Sequence, residues 1–191
     1  MEGCVAQIKG VLLNAWTQFL KSRYGAERFD EAVKNVAGAD RIQFAAGFLD
    51  SSWYPFEAQR PLNELTRLLV TLEDGNVAFD LGRFMADYAF SKVYKNLLSK
   101  EGHKLVRNLW LEDSFFQGLR KAESTMPSDN SCLLRYYYEP GMKPSAKLCA
   151  TTIGFCVRQV EYAGGTDIKV VHPPDKCAAR GNDCCEVLIE W

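Results

Sequence analysis

The apolar residues of this chain change period once, and that change limits the folds open to it. Up to about Lys121 they recur at helical spacing; from Ser131 onward, short aromatic or alternating runs take over. A helical stripe returns every three or four residues and a strand face every two. A single switch from the first to the second predicts an α+β chain: a helical N-terminal half, then a small antiparallel sheet with a packed helix.

The spacing predicts helices over residues 4–21 (Ile8, Leu12, Ala15, Trp16, Phe19), 26–36 (Phe29, Val33, Val36), 62–72 and 78–98 (Leu81, Phe84, Met85, Tyr88, Val93, Leu97), with one or two more over 104–120. Gly38-Ala39-Asp40 reads as a break, Ser51 to Pro55 as a turn and Pro127 to Asn130 as a loop. Cys132 to Tyr138 reads as a strand, since aromatic and branched side chains suit a pleated surface. A helix follows over 145–162, capped by Ser145, and Gly164-Gly165 stops it. Strands over 167–172 and 184–191 complete the chain.

At 191 residues with 47% hydrophobic and 25% charged residues, the sequence reads as one domain, 1–191, with a core of ordinary size. A formal charge of -1 argues against nucleic acid as the main partner, which calls for a basic face. No stretch approaches the ~20 apolar residues of a membrane span. Met1-Glu2-Gly3-Cys4 lacks the basic and apolar regions of a signal peptide. Seven cysteines, an odd number without the spacing of a secreted framework, point to a reducing cytoplasm.

The cysteines gather near the end, in Cys177-Ala-Ala-Arg-Gly-Asn-Asp-Cys-Cys-Glu-Val-Leu-Ile-Glu-Trp191. Gly181-Asn182-Asp183 forms a turn between them. Glu186 and Glu190 belong in water, which places Cys184 with them and turns Cys185 inward with Val187, Ile189 and Trp191. Neighbouring Cys184 and Cys185 face opposite sides of a strand and cannot easily bridge each other. Cys177 paired with either of them, plain buried thiols, and metal ligation all stay open.

The order of elements and the ending Cys-(seven residues)-Cys with an alternating strand resemble the 4-vinyl reductase domain family, over about residues 131–191. The segment Gly10-Val-Leu-Leu-Asn-Ala-Trp-Thr-Gln-Phe-Leu-Lys-Ser-Arg-Tyr-Gly25 resembles the opening of the related haem nitric-oxide-binding domains. The resemblance implies the NO-signalling and Golgi-transport ligand-binding fold, shared with small TRAPP vesicle-tethering subunits. Three consequences follow from it residue by residue.

The haem members carry a proximal histidine and a later Tyr-x-Ser-x-Arg run for the propionates. His103 lies in the right region, but Tyr136-Tyr137-Tyr138-Glu139-Pro140 supplies neither Ser nor Arg, and Arg135 precedes the tyrosines. Haem is therefore not expected. Phenol-sensing regulators with a related domain bind structural zinc through three cysteines and an acidic residue. Cys156, Cys177 and Cys185 match the order of those cysteines. The acidic position falls on Pro174, so Asp175 is the nearest candidate for the fourth ligand, with His172 as its substitute. The resemblance also implies an apolar ligand pocket between helices and sheet. Trp53, Tyr54, Phe84, Tyr88, Trp110, Phe116, Tyr136 and Tyr138 are its candidate lining, against the alternative that they are simply core.

No Gly-x-Ser-x-Gly, phosphate loop or dinucleotide fingerprint is present. With only two histidines, His103 and His172, a Cys-His nucleophile would have to use Cys156 or Cys177. The sequence thus reads as a non-enzymatic sensor domain for an apolar or aromatic small molecule, acting through a protein partner. The alternatives are a TRAPP-like scaffold that dimerises through apolar residues such as Trp16 and Phe19, and an enzyme or accessory for a large planar substrate.

Overall fold

A computed structural model describes residues 5–92 and 113–191, apart from the side chains of Ala39 and Leu72. The expected α+β order is present: helices dominate the first part and a four-stranded sheet the second. Strand β1 (Gln7–Lys9) leads directly into helix α1 (Gly10–Tyr24). Helices α2 (Ala26–Val33) and α3 (Gly38–Ala46) follow, then strand β2 (Trp53–Pro55), helix α4 (Arg60–Leu69) and helix α5 (Val77–Lys92). After the undescribed stretch come β3 (Phe116–Gln117), β4 (Arg120–Ser128), β5 (Ser131–Tyr138), helix α6 (Ala146–Tyr162), β6 (Lys169–Val171) and β7 (Cys185–Glu190).

Four expectations are corrected. The first helix does not start at residue 4: residues 7–9 are a strand, because β1 pairs with both β2 and β3 in a small antiparallel sheet. Gly38 opens a helix instead of breaking one. Trp53 to Pro55 pairs with β1, and as an edge strand it tolerates a proline that cannot donate. The largest correction is β4, where residues up to 120 read as helix and 127–130 as loop. Its outward positions are Lys121, Glu123 and Thr125, and only Arg120 is buried. An edge strand of that composition leaves no apolar alternation to read.

The C-terminal sheet has the order β4-β5-β7-β6, antiparallel throughout. Register sets Cys132 opposite Ile189, Leu134 opposite Val187 and Tyr136 opposite Cys185. All six are buried, so the alternation read from the last strand fixes one continuous inner face. Helix α6 covers it with Cys149, Cys156 and Val160, while its Phe155 joins the helical core around α1, α4 and α5. Ser145 caps α6 as expected, accepting from the Leu148 N–H at 3.1 Å.

Helices α5 and α6 touch through glycines. A methyl group on Gly82 would overlap the Thr151 carbonyl, and one on Gly154 the Phe79 carbonyl. Charged groups staple the outer side of this contact. Arg83 donates to both oxygens of Glu161 at 2.5 and 2.9 Å, and Arg158 reaches Asp87 at 2.7 Å and Glu161 at 2.7 Å.

Trp16 and Phe19, offered above as a dimer face, are only 8% and 6% exposed. The Trp16 indole N–H donates to Thr66 Oγ1 at 2.9 Å, and Phe19 stands edge-on to Phe84. The helical stripe was read correctly as a stripe, but it packs inside the chain and offers no free surface.

Candidate functional site

The main cavity lies among the N-terminal helices and opens at the start of α6. Ile8, Leu12 and Trp16 succeed one another along β1 and α1, four residues apart, and form one wall. Asn63, Thr66, Arg67 and Val70 come from one face of α4 and the residue after it, and Leu81 and Met85 from α5. Phe56, Phe116 and Phe155 add aromatic surface. Lys143, Pro144, Ser145 and Lys147, just before and at the start of α6, join the lining with Leu148 and Thr151. The cavity measures about 460 Å³, within the usual range for a bound small molecule.

Of the aromatic residues proposed from the sequence, Phe116 lines this cavity. Tyr54 lines a second one of about 360 Å³, beside Phe44 and Phe48. Trp53 lies under the Lys9 ammonium, Phe84 packs on Phe19, and Tyr88 sits against Lys92. Trp110 and His103 fall outside the described residues. Tyr136 and Tyr138 surround an arginine that sequence reasoning missed. The Arg120 guanidinium stacks 4.2 Å from the Tyr136 ring centre and donates to Tyr138 Oη, Thr152 Oγ1 and Asp113 Oδ1 at 3.2, 3.1 and 2.9 Å. Its side chain is fully buried, with its charge matched by Asp113. Burial raises the Tyr138 phenol, although the neighbouring arginine opposes the shift.

A second cluster gathers at one end of the inner face of the C-terminal sheet. Ligand atoms of Cys149, His172, Cys177 and Cys185 all lie within 4.8 Å of one another. Cys149 comes from the first turn of α6, His172 follows β6, Cys177 precedes the turn and Cys185 opens β7. The Cys149 sulfur is 3.6 Å from that of Cys185 and 4.0 Å from that of Cys177. Four ligands held ~2.3 Å from a tetrahedral centre stand ~3.8 Å apart, so these distances suit a metal ion. His172 Nδ1 is 2.8 Å from the Glu186 carbonyl, which leaves Nε2, a buried nitrogen without a hydrogen-bond partner. A ring fixed at one nitrogen and unsatisfied at the other is the arrangement a metal-binding histidine adopts.

Cys177 and Cys185 were expected here, whereas Cys156 and Asp175 are not members of the group. Cys156 is on the same face of α6 as Cys149 but seven residues, or ~10 Å, further along. It faces the Tyr136 hydroxyl at 3.5 Å. His172 takes the fourth position, the substitution allowed from the sequence. The Cys185 thiol is drawn below its ordinary range by the hydrogen bond from Cys149, against the opposing effect of burial and with help from the Ala178 N–H at 3.3 Å. Cys149 moves the other way.

No family model and no curated protein matches the sequence. Solved structures do. An H-NOX protein from S. oneidensis in the Fe(II) ligation state is 19% identical with a TM-score of 0.67, over 96% of this chain and 95% of that one. The chain has the fold of the H-NOX domains. An Fe(II) unliganded H-NOX mutant from K. algicida is 13% identical (TM-score 0.65, 96% of each chain). An oxygen complex of an H-NOX domain related to soluble guanylate cyclases is 15% identical (TM-score 0.64, covering 96% and 94%). The fold expected from the resemblance is therefore present, while the 4-vinyl reductase assignment finds no support.

The expectation that haem is not bound is corrected by the same comparison, since structures of this fold are described in Fe(II) and oxygen-bound states. The missing Tyr-x-Ser-x-Arg run does not set haem aside. The cavity is walled mainly by apolar side chains, with Arg67, Lys143 and Lys147 also among its lining residues. Among the described lining residues there is no histidine, cysteine or tyrosine, and Met85 supplies the only sulfur.

Proposed function

We propose that this chain is a non-enzymatic sensor domain that holds a haem-sized planar molecule in the cavity between α1, α4, α5 and the start of α6. The observation that carries this reading is the cavity itself, about 460 Å³ and walled mainly by apolar side chains, in a fold whose solved examples are described as iron-ligated. Haem, when bound, would supply an iron centre for a diatomic gas. Leu12, Trp16, Leu81 and Met85 would enclose its body and exclude water.

The guest touches α5 and α6 at once, so filling the cavity acts on the helix pair joined at Gly82 and Gly154. A change in that contact is what a protein partner, or a second copy of the chain, would read. Titration of the full chain with haemin tests the proposal. A saturable Soret band at one haem per chain, retained through gel filtration, is the expected result. Absence of any retained chromophore or co-purifying small molecule by native mass spectrometry would overturn it.

A separate reading concerns the C-terminal cluster. Cys149, His172, Cys177 and Cys185 hold a structural zinc ion that ties α6 to the sheet, favoured by the buried, unpartnered Nε2 of His172. Metal analysis of protein purified without chelator decides this independently of the cavity.

A further inference from the structure

The second cavity shares no lining residue with the first. The 3-10 turn Phe56–Gln59 stands between them: Phe56 and Gln59 line the first, Glu57 and Ala58 the second. The second cavity measures about 360 Å³. Its walls combine three aromatic rings, Phe44, Phe48 and Tyr54, with two carboxylates, Asp40 and Glu57, and one cation, Arg60.

The rings are held from behind. Asn14 of α1 accepts from the Phe48 N–H at 3.3 Å and donates to the Phe48 carbonyl at 2.7 Å, which fixes that backbone between α3 and β2. The Tyr54 hydroxyl accepts from the Leu49 N–H at 2.9 Å. The Tyr54 ring lies against Gly10, where a methyl group would come within 2.9 Å of it. Phe48 and Tyr54 meet edge to face with their centres 5.1 Å apart, and Phe44 stands edge-on to Phe29 at 6.2 Å. The walls are thus in place before a guest enters, which lowers the ordering cost of binding.

The chemistry of the walls selects the guest. An aromatic face carries negative potential and attracts cations, best of all those that are weakly hydrated. The chain supplies no such cation here: among the described residues none stands over Phe44, Phe48 or Tyr54. Asp40 and Glu57 outnumber Arg60, which is exposed and keeps its charge in water. Rings offer no ligand atoms to a hard metal ion, which demands oxygen. We propose that this cavity binds a bulky organic cation of the quaternary-ammonium class, its alkyl groups against Phe44, Phe48 and Tyr54 and its charge balanced by Asp40 and Glu57. This site is separate from the cavity of the proposed function and does not depend on what fills that one.

The test uses the purified full chain with two probes of one shape: choline and its neutral carbon analogue, 3,3-dimethylbutan-1-ol. Calorimetric titration reads affinity, and saturation-transfer NMR reads contact between the probe methyl groups and the protein. Choline is expected to bind about tenfold tighter than the alcohol. Glu57→Gln, at an exposed position, should weaken choline about threefold and leave the alcohol unchanged, whereas Arg60→Gln should tighten choline by a similar factor. Phe44→Leu should weaken both probes, and choline more. Equal affinity for the two probes would overturn the cationic guest. Absence of choline binding at millimolar concentration would overturn the site. A choline affinity unmoved by both Glu57→Gln and Arg60→Gln would mean that it binds elsewhere on the chain, and would overturn the assignment to this cavity.

Discussion

Cys149 and Cys185 hold their sulfurs 3.6 Å apart, where the first turn of α6 meets the first residue of β7. The distance is far beyond the ~2.05 Å of a disulfide and close to that between two ligands of one tetrahedral ion. We expect about one zinc per chain in protein prepared without chelator, and close to none in Cys149→Ser. Cys156→Ser should keep its metal, because Cys156 faces Tyr136. Inductively coupled plasma mass spectrometry on the three proteins checks this. Retention of zinc by Cys149→Ser with loss in Cys156→Ser would restore the ligand set expected from sequence.

The α5–α6 crossing has no room for a side chain at Gly82 or Gly154. The obstacle in each case is a backbone carbonyl, which cannot rotate away as a side chain can. Gly82→Ala and Gly154→Ala should each destabilise by about 2 kcal/mol or more, roughly a 5–8 °C fall in melting midpoint for a chain of this size. Calorimetry or circular dichroism melts provide the measurement. Unchanged midpoints would mean that the helices stand further apart than described.

Glu161 gives a pH dependence of known sign. Burial raises its carboxyl, but the guanidiniums of Arg83 and Arg158 outweigh that and leave it below the ordinary value. A carboxylate depressed in the folded state contributes stability above its unfolded pKa and loses it as pH falls through the folded value. Glu161→Gln should therefore cost about 1 kcal/mol near pH 7, with the gap to the parent narrowing below about pH 4.5. Parallel denaturant titrations from pH 7 to pH 3 would show it. A gap that stayed constant through acid would remove the ion pair as the cause.

Arg120 is the buried charge of the sheet side, stacked on Tyr136 and paired with Asp113. Arg120→Ala leaves that carboxylate without its partner and opens a hole among three aromatic rings, so a loss of about 3 kcal/mol is expected. Arg120→Met fills the hole without the charge and should recover part of it. Equilibrium urea unfolding of the two variants separates packing from charge; equal losses would mean that the charge alone matters.

Local pattern carried the second half of the chain well. Strand β5, the Ser145 cap on α6 and the inward turn of Cys185 all follow from composition and alternation over a few residues. The first half was read less well at its edges. Strand β1 is three residues of an otherwise helical stripe, and it is a strand because β2 and β3 flank it. Strand β4 lacks an apolar face because it lies at the edge of its sheet.

The candidate sites divide in the same way. That Cys177 and Cys185 lie on either side of a turn was legible from their spacing. Which α6 cysteine joins them was not, since Cys149 and Cys156 share one face of the helix two turns apart. The cavity was equally hidden: Arg67 and Lys147 lie far apart in sequence and line one cavity only because the fold places α4 and the start of α6 on its walls. Sequence alone determined which side chains face inward, because periodicity is a property of neighbouring residues. Tertiary packing decided which of them meet, because that depends on how far each helix slides along its neighbours, a distance that no local repeat records.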